Sequence, residues 1–280
     1  MSNSAQSVKD KLKNISREKN VDFNSVMRFY MYDRFVERLS KSKYKDNFIL
    51  KGGFYLNKLF GLDNRSTMDI DTAIRKTEFT EENLIVMINE IISIDVGDNV
   101  KFKIEKTELI REEDEYGGLR ITINFMLENI KDKFHIDLAT GDPIYPRPDN
   151  YKYESLIGDE IYKVWSYNLE TILAEKIETI LSKLETSSRM KDYYDIYLIY
   201  KFKFDTINKE KFRGSVEKTF KKRKFDADLM TNLSIVKESK VLRERWLSYS
   251  RKNSYARDVE FEETLECLEK LIDILILHVI

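Results

Sequence analysis

Proline and glycine are scarce: 3 and 9 residues in a chain of 280. That scarcity argues against long irregular linkers and low-complexity segments. The single cysteine, Cys267, excludes an internal disulfide framework and fits a reducing compartment. Long apolar runs are missing as well. The opening stretch MSNSAQSVKDKLKNIS has no apolar centre and does not read as a signal peptide. The most apolar tract, LEKLIDILILHVI, is interrupted by Glu269, Lys270 and Asp273 and is too short to cross a bilayer, so it reads as a buried helix. A cytoplasmic protein with no membrane partner is expected. Nor is there an excess of charge of one sign. The formal net charge is −1, so the molecule is not a polyanion binder by charge alone.

What is present is a 42% apolar, 35% charged chain, long enough for a sizeable core in two domains or one large one. The charge is unevenly placed. Residues 201–224, KFKFDTINKEKFRGSVEKTFKKRK, carry ten Lys or Arg against three Asp or Glu. This run is either a solvated helix face or a surface that follows nucleic-acid backbone.

Helical patterns fill residues 5–45. DNFILKGG reads as a short strand ending in glycines, and FYLNKLFG as a helix closed by Gly61. TMDIDTAI reads as a strand. TEENLIVMINEIISI reads as an amphipathic helix capped by Thr80. VKFKIEKTELIRE and LRITINFMLE alternate and form an antiparallel hairpin; KFHIDLATGD follows as another strand. After PIYPRPDN the chain is expected to be mostly helical. The sequence thus predicts an α+β fold: a mixed sheet over roughly 47–140 with helices on both sides, in a domain spanning 1–150, then a mostly helical domain spanning 151–280.

Five local features carry chemistry. In NRSTMDIDTAI, Asp69 and Asp71 share one strand face while Ile70 points the other way. Two like charges stay together only beside solvent or a cation. In FHIDLATGD, Asp137 opposes Phe134, Ile136 and Leu138 in the same manner. Three strand carboxylates are the hard oxygen ligands that Mg²⁺ takes when it also binds phosphates. His135 receives no role. The pair Gly52 and Gly53, after Lys51, lets backbone N–H groups approach a phosphate at a helix start, or is merely a turn.

The fourth feature is NLETILAEKIETILSKLE. Its stripe of Leu169, Ile172, Leu173, Ile177, Ile180, Leu181 and Leu184 includes Lys176, while Glu170, Thr171, Glu178 and Ser182 lie mostly away from it. A lysine on a buried face needs a partner, either a carboxylate or a phosphate. The fifth is RMKDYYDIYLIY, where Asp192 and Asp195 share a helix face and want cations; Arg189, Lys191 and Lys176 are the candidates. Its four tyrosines, Tyr193, Tyr194, Tyr197 and Tyr200, read as core. Together these are the equipment of phosphoryl or nucleotidyl transfer.

The segments LKGGFYLNKLFGLDNRSTMDID (50–71), FHIDLATGD (134–142), TILAEKIETILSK (171–183) and RMKDYYDIYLIY (189–200) resemble, in order and spacing, the AbiEii/AbiGii-type toxins. These are nucleotidyltransferases of toxin–antitoxin and phage-defence (abortive-infection) operons. The resemblance implies a nucleotidyltransferase-like core followed by a mostly helical part that contributes Lys176 and Asp192. It implies that Asp69 and Asp71 bind Mg²⁺ and the NTP triphosphate, that Asp137 completes the metal set, and that Lys51, Gly52, Gly53, Arg65, Thr67 and Lys176 serve the nucleotide. Asp192 would be a further catalytic residue.

By the same carry-over, the reaction moves NMP from an NTP to the 3′ acceptor end of tRNA and blocks translation. The partner is a cognate antitoxin, often a winged-helix repressor encoded beside the toxin. Many relatives place a small or hydroxyl residue after the paired glycines. Here Phe54 and Tyr55 follow, so backbone N–H groups must do more. From about residue 201 no motif of the family is recognisable. A protein hydroxyl as acceptor, or NTP binding without turnover, are the alternative functions.

Overall fold

The computed structural model describes residues 5–65, 69–110 and 117–276. The chain forms two compact units, one from residues up to Gly141 with Pro148–Tyr167, the other from Asp142–Arg147 with Asn168 onward.

The first unit runs α1 (Ala5–Glu18), α2 (Phe23–Lys41), β1 (Phe48–Leu50), α3 (Gly52–Phe60), β2 (Asp69–Ile74), α4 (Glu81–Ile92), β3 (Val100–Ile110), β4 (Gly118–Leu127), β5 (Ile130–Ala139), β6 (Asp149–Glu154) and β7 (Ile161–Ser166). Local chemistry sets the ends. Asp22 accepts from the Ser25 amide to start α2, and Thr80 from the Asn83 amide to start α4. Gly61, with φ of +93°, closes α3 in a conformation that side-chain-bearing residues rarely adopt.

The strands form one mixed sheet in the order β3-β4-β5-β2-β1-β7-β6. β2 lies parallel to β5 and β1 parallel to β7, whereas β1/β2, β3/β4, β4/β5 and β6/β7 are antiparallel. Period-two alternation sends Ile70, Leu119, Ile121, Ile123, Phe125, Phe134, Ile136 and Leu138 into one core with Tyr32, Phe35, Met87 and Ile91 from α2 and α4. Phe134 stands at its centre, edge-on to Tyr32, Phe35 and Phe102.

The expectation that the chain turns helical after PIYPRPDN needs correcting. The sheet continues through β6 and β7, six residues each. Tyr153, Tyr162 and Val164 face inward while Lys152, Glu154, Ile161 and Lys163 are exposed. The physical reason is that β1 requires a second neighbour: Ile49 pairs with Trp165 and Leu50 with Ser166.

The second unit is helical: α5 (Leu169–Lys183), α6 (Met190–Lys203), α7 (Lys209–Lys222), α8 (Leu229–Glu238), α9 (Lys240–Lys252) and α10 (Phe261–Ile276). α5 packs against α6, α7 and α8 and is covered on several sides. That corrects the expectation for its polar residues: Glu170, Thr171 and Glu178 are buried. Glu170 accepts from the Asn208 amide at 2.9 Å, and Glu178 pairs with Arg223 at 2.7 Å. The apolar C-terminal tract is a buried helix as far as it is described, with Leu268, Leu271 and Ile272 of α10 fully covered. Tyr193 and Tyr194 of α6 are buried, and Tyr197 and Tyr200 half-buried. No described helix is long and apolar enough to cross a membrane.

Candidate active site

The parallel register of β2 on β5 sets Asp71 opposite Asp137 and Asp69 opposite His135. Ile70 and Ile136, on the other face, are sealed in the core, so backbone alternation alone puts the carboxylates on one side. β4 adds Arg120, directly opposite Asp137. Its Nε donates to one Asp137 oxygen and its Nη2 to the other, both at 2.7 Å, and Nη2 stands 3.7 Å from an Asp69 oxygen. This is the two-pronged arginine–carboxylate pair, the strongest geometry such charges adopt. Partial burial, and then the Asp137 and Asp71 carboxylates, push the Asp69 carboxyl above its ordinary range despite the pull of Arg120. The hydrogen bonds that Arg120 donates to Asp137 hold its guanidinium further from deprotonation.

Asp71 also serves α3. Lys51 precedes that helix without a side-chain cap, and the Gly53 amide donates to an Asp71 oxygen at 3.3 Å. Gly52 has φ of +54°, and a Cβ there would stand 3.0 Å from the same carboxylate. A Cβ on Gly53 would stand 2.6 Å from the Arg65 guanidinium, which is buried against the helix start. The glycine pair is thus required by two side chains that crowd the turn. Lys51 is buried, with its ammonium 5.1 Å from the centre of the Tyr167 ring. The first unit therefore brings Asp69, Asp71, Asp137, Lys51, Gly52, Gly53 and Arg65 into one neighbourhood of β2, β5 and the start of α3. Thr67 lies outside the described residues.

In the second unit, Lys176 of α5 donates to Asp192 at 2.6 Å and approaches Asp195 at 2.7 Å. Arg189 reaches the other oxygen of Asp192 at 2.7 Å. Burial opposes ionisation of Asp192, but Lys176 and Arg189 outweigh it and hold its carboxyl below the usual range. The buried lysine and the buried aspartates of the sequence thus answer one another.

Asp69 and Asp71 are hard oxygen donors on one face, with the Arg120 guanidinium 3.7 Å from Asp69 and the Gly53 amide donating to Asp71; this pair fits Mg²⁺. Asp137 does not fit in the same way, because Arg120 takes both its oxygens. Among the described residues no three His, Cys, Asp or Glu side chains are grouped as a ready metal cage. Arg120 is the site residue that reading the sequence missed. Its trace was there: counting back along each arm of the turn from the Leu127–Ile130 pair puts Arg120 opposite Asp137.

A mixed sheet carrying aspartates on one face, beside a helix that opens on glycines and followed by a helical region, defines a nucleotidyltransferase-like α+β protein. The family model for the nucleotidyl transferase AbiEii toxin of type IV toxin–antitoxin systems matches residues 34–267, and the chain belongs to that family. The fold is similar to that of JHP933 from Helicobacter pylori, with a TM-score of 0.52 at 14% identity over 88% of both chains. A candidate nucleotidyltransferase from H. pylori gives a TM-score of 0.47 at 15% identity over 88% of this chain and 91% of that one. No curated protein matches the sequence.

Proposed function

We propose that this toxin transfers a nucleoside monophosphate from an NTP to the 3′-hydroxyl at the acceptor end of tRNA, with Mg²⁺ held by Asp69 and Asp71, and so blocks translation. The observation that carries the reading is the meeting of those two carboxylates with the glycine-led start of α3. In the reaction the hydroxyl oxygen forms a bond to the α-phosphorus, and the bond from that phosphorus to the departing pyrophosphate breaks. The hydroxyl proton passes to a carboxylate of the Asp69, Asp71 and Asp137 cluster. Bound Mg²⁺ supplies positive charge to the triphosphate. Gly52, Gly53, Lys51, Arg65 and Thr67 serve the phosphates at the N-terminal end of α3, where backbone N–H groups favour anions.

Lys176 and Asp192 come into this proposal through the family resemblance, as a triphosphate contact and a further catalytic residue. Their ion pairs hold the lysine in one orientation. Exposed Lys209, Lys211, Lys218 and Lys221 on α7 suit a polyanionic acceptor. The cognate antitoxin, a winged-helix repressor encoded in the same operon, completes the system.

The test is to incubate the purified protein with total tRNA, Mg²⁺ and each α-labelled NTP separately, beside Asp71→Ala. Label on tRNA from the wild type and none from the folded variant is the expected result. Label on protein instead would transfer the reading to a protein hydroxyl acceptor. Tight NTP binding without pyrophosphate release would make the protein a non-catalytic binder.

A further inference from the structure

Three carboxylates on one sheet face invite a two-metal site, in which the third aspartate ligates a second ion. The side chains are arranged otherwise. Asp137 is nearly covered, its side chain 12% exposed, and both its oxygens already hold a guanidinium at 2.7 Å. That guanidinium also lies 3.7 Å from Asp69, so it reaches two of the three carboxylates of this face. The backbone fixes this placement, because β4 and β5 set Arg120 directly opposite Asp137. An arginine cannot give up its charge, and its rigid fork matches a carboxylate on one edge. With Nε and Nη2 on Asp137, the Nη1 edge of a side chain that is 33% exposed is left for another anion.

We propose that Arg120 is the built-in second cation of this site: Asp137 is its anchor, one divalent ion binds on Asp69 and Asp71, and Arg120 takes a phosphate oxygen of the nucleotide. The identity of that phosphate rests on the proposed function; the anchoring of Arg120 rests on its two hydrogen bonds to Asp137. Asp137 is then a positioning residue, and Arg120 a residue that touches substrate.

The experiment is a Mn²⁺ titration of the metal-free full-length protein, followed by the electron paramagnetic resonance of the free ion, without nucleotide or acceptor. The wild type is expected to bind one Mn²⁺. Asp71→Asn should weaken it at least tenfold, roughly the loss of one of two carboxylate ligands. Arg120→Gln releases Asp137 and should tighten Mn²⁺ about tenfold or admit a second ion. Arg120→Gln with Asp137→Asn should lose that gain, and Arg120→Lys should keep the wild-type stoichiometry. In a separate titration with a fluorescent NTP analogue, Arg120→Gln should weaken binding about tenfold, and Arg120→Lys should restore part of it.

Two Mn²⁺ ions on the wild type would overturn the proposal. So would a gain in Arg120→Gln that persists undiminished in the double variant, or no gain at all in a variant that melts as the wild type does. Because the Mn²⁺ count needs no acceptor, a protein that binds one ion in this pattern yet transfers nothing defeats the functional reading alone. A two-ion protein that labels tRNA defeats this inference alone.

Discussion

In the strand cluster Asp137 and Asp69, beside Asp71, meet the Arg120 guanidinium; in the helix cluster Asp192 and Asp195 meet Lys176 and Arg189 at 2.6 to 2.7 Å. The same side chain ends in opposite states. Asp69 is held above the ordinary carboxylate range, Asp192 below it. The strand cluster sets three carboxylates on one face beside the Arg120 guanidinium and is partly exposed; in the helix cluster Asp192 and Asp195 are buried and ion-paired with Lys176 and Arg189. A cluster in the first condition is built to receive a cation or a charged substrate. One in the second holds its side chains in fixed positions, as the proposed triphosphate contact by Lys176 requires.

The largest effects separate those roles. Asp71→Asn preserves an oxygen that can accept from the Gly53 amide but removes a negative ligand. Nucleotide transfer should fall by about a hundredfold or more, while the melting temperature of the metal-free protein stays near that of the wild type. Lys176→Met does the reverse to stability. It leaves Asp192 and Asp195 buried without the ammonium between them, and the protein should lose about 3–5 kcal/mol. Asp192→Asn with Asp195→Asn, added to Lys176→Met, should recover much of that loss in a denaturant titration. A Lys176→Met protein with unchanged stability would mean that the helix cluster is not a closed ion-pair network.

A smaller effect tests the crowded turn. Gly53→Ala places a methyl where the Arg65 guanidinium lies, 2.6 Å away, inside van der Waals contact. The arginine must shift, at a cost of about 1–3 kcal/mol in stability. Gly97→Ala meets nothing within 4 Å, but at φ of +72° it reports the strain of a left-handed residue without the clash. Gly53 is not in the left-handed region, so a loss in its thermal melt reports the Arg65 contact, whereas a loss in Gly97→Ala reports backbone strain alone.

How much of this was legible in the sequence differs between the clusters for a physical reason. Period-two alternation in MDIDTAI and FHIDLATGD gives the face of each aspartate directly, and the helical period places Lys176 on the buried stripe with carboxylates to answer it. What alternation does not give is the neighbour across the sheet. Arg120 becomes visible only when the register of the β4–β5 hairpin is counted out. The hairpin of β6 and β7 was missed because two six-residue strands give little periodicity, and because what calls for them is a vacancy beside β1, a long-range fact. Glu170 and Glu178 were misplaced for a similar reason: a helix with neighbours on several sides buries polar residues wherever the partners wait for them.

The finest test of the comparison is the pH dependence of stability in metal-free protein. A carboxyl raised on folding contributes stability below its unfolded value and loses it as pH rises through the folded value; a carboxyl lowered on folding contributes above its unfolded value and loses it as pH falls through the folded one. Asp69 is the first kind, so its charge weakens the fold at neutral pH. Asp192 is the second kind, so its charge supports the fold there. Asp69→Asn should therefore stabilise the protein at pH 7, by about 1 kcal/mol or less, and the gain should fade on acidification through the carboxylate range. Asp192→Asn should destabilise it at pH 7, and that loss should also shrink as the solution is acidified. Denaturant titrations of both variants at several pH values read the two slopes. Opposite signs at pH 7 mean that the charge on Asp69 costs the fold stability while the charge on Asp192 adds to it. The same sign in both would mean that Arg120 neutralises the strand cluster as fully as Lys176 and Arg189 neutralise the helix cluster, which would leave Asp69 and Asp71 with no electrostatic call for a divalent ion.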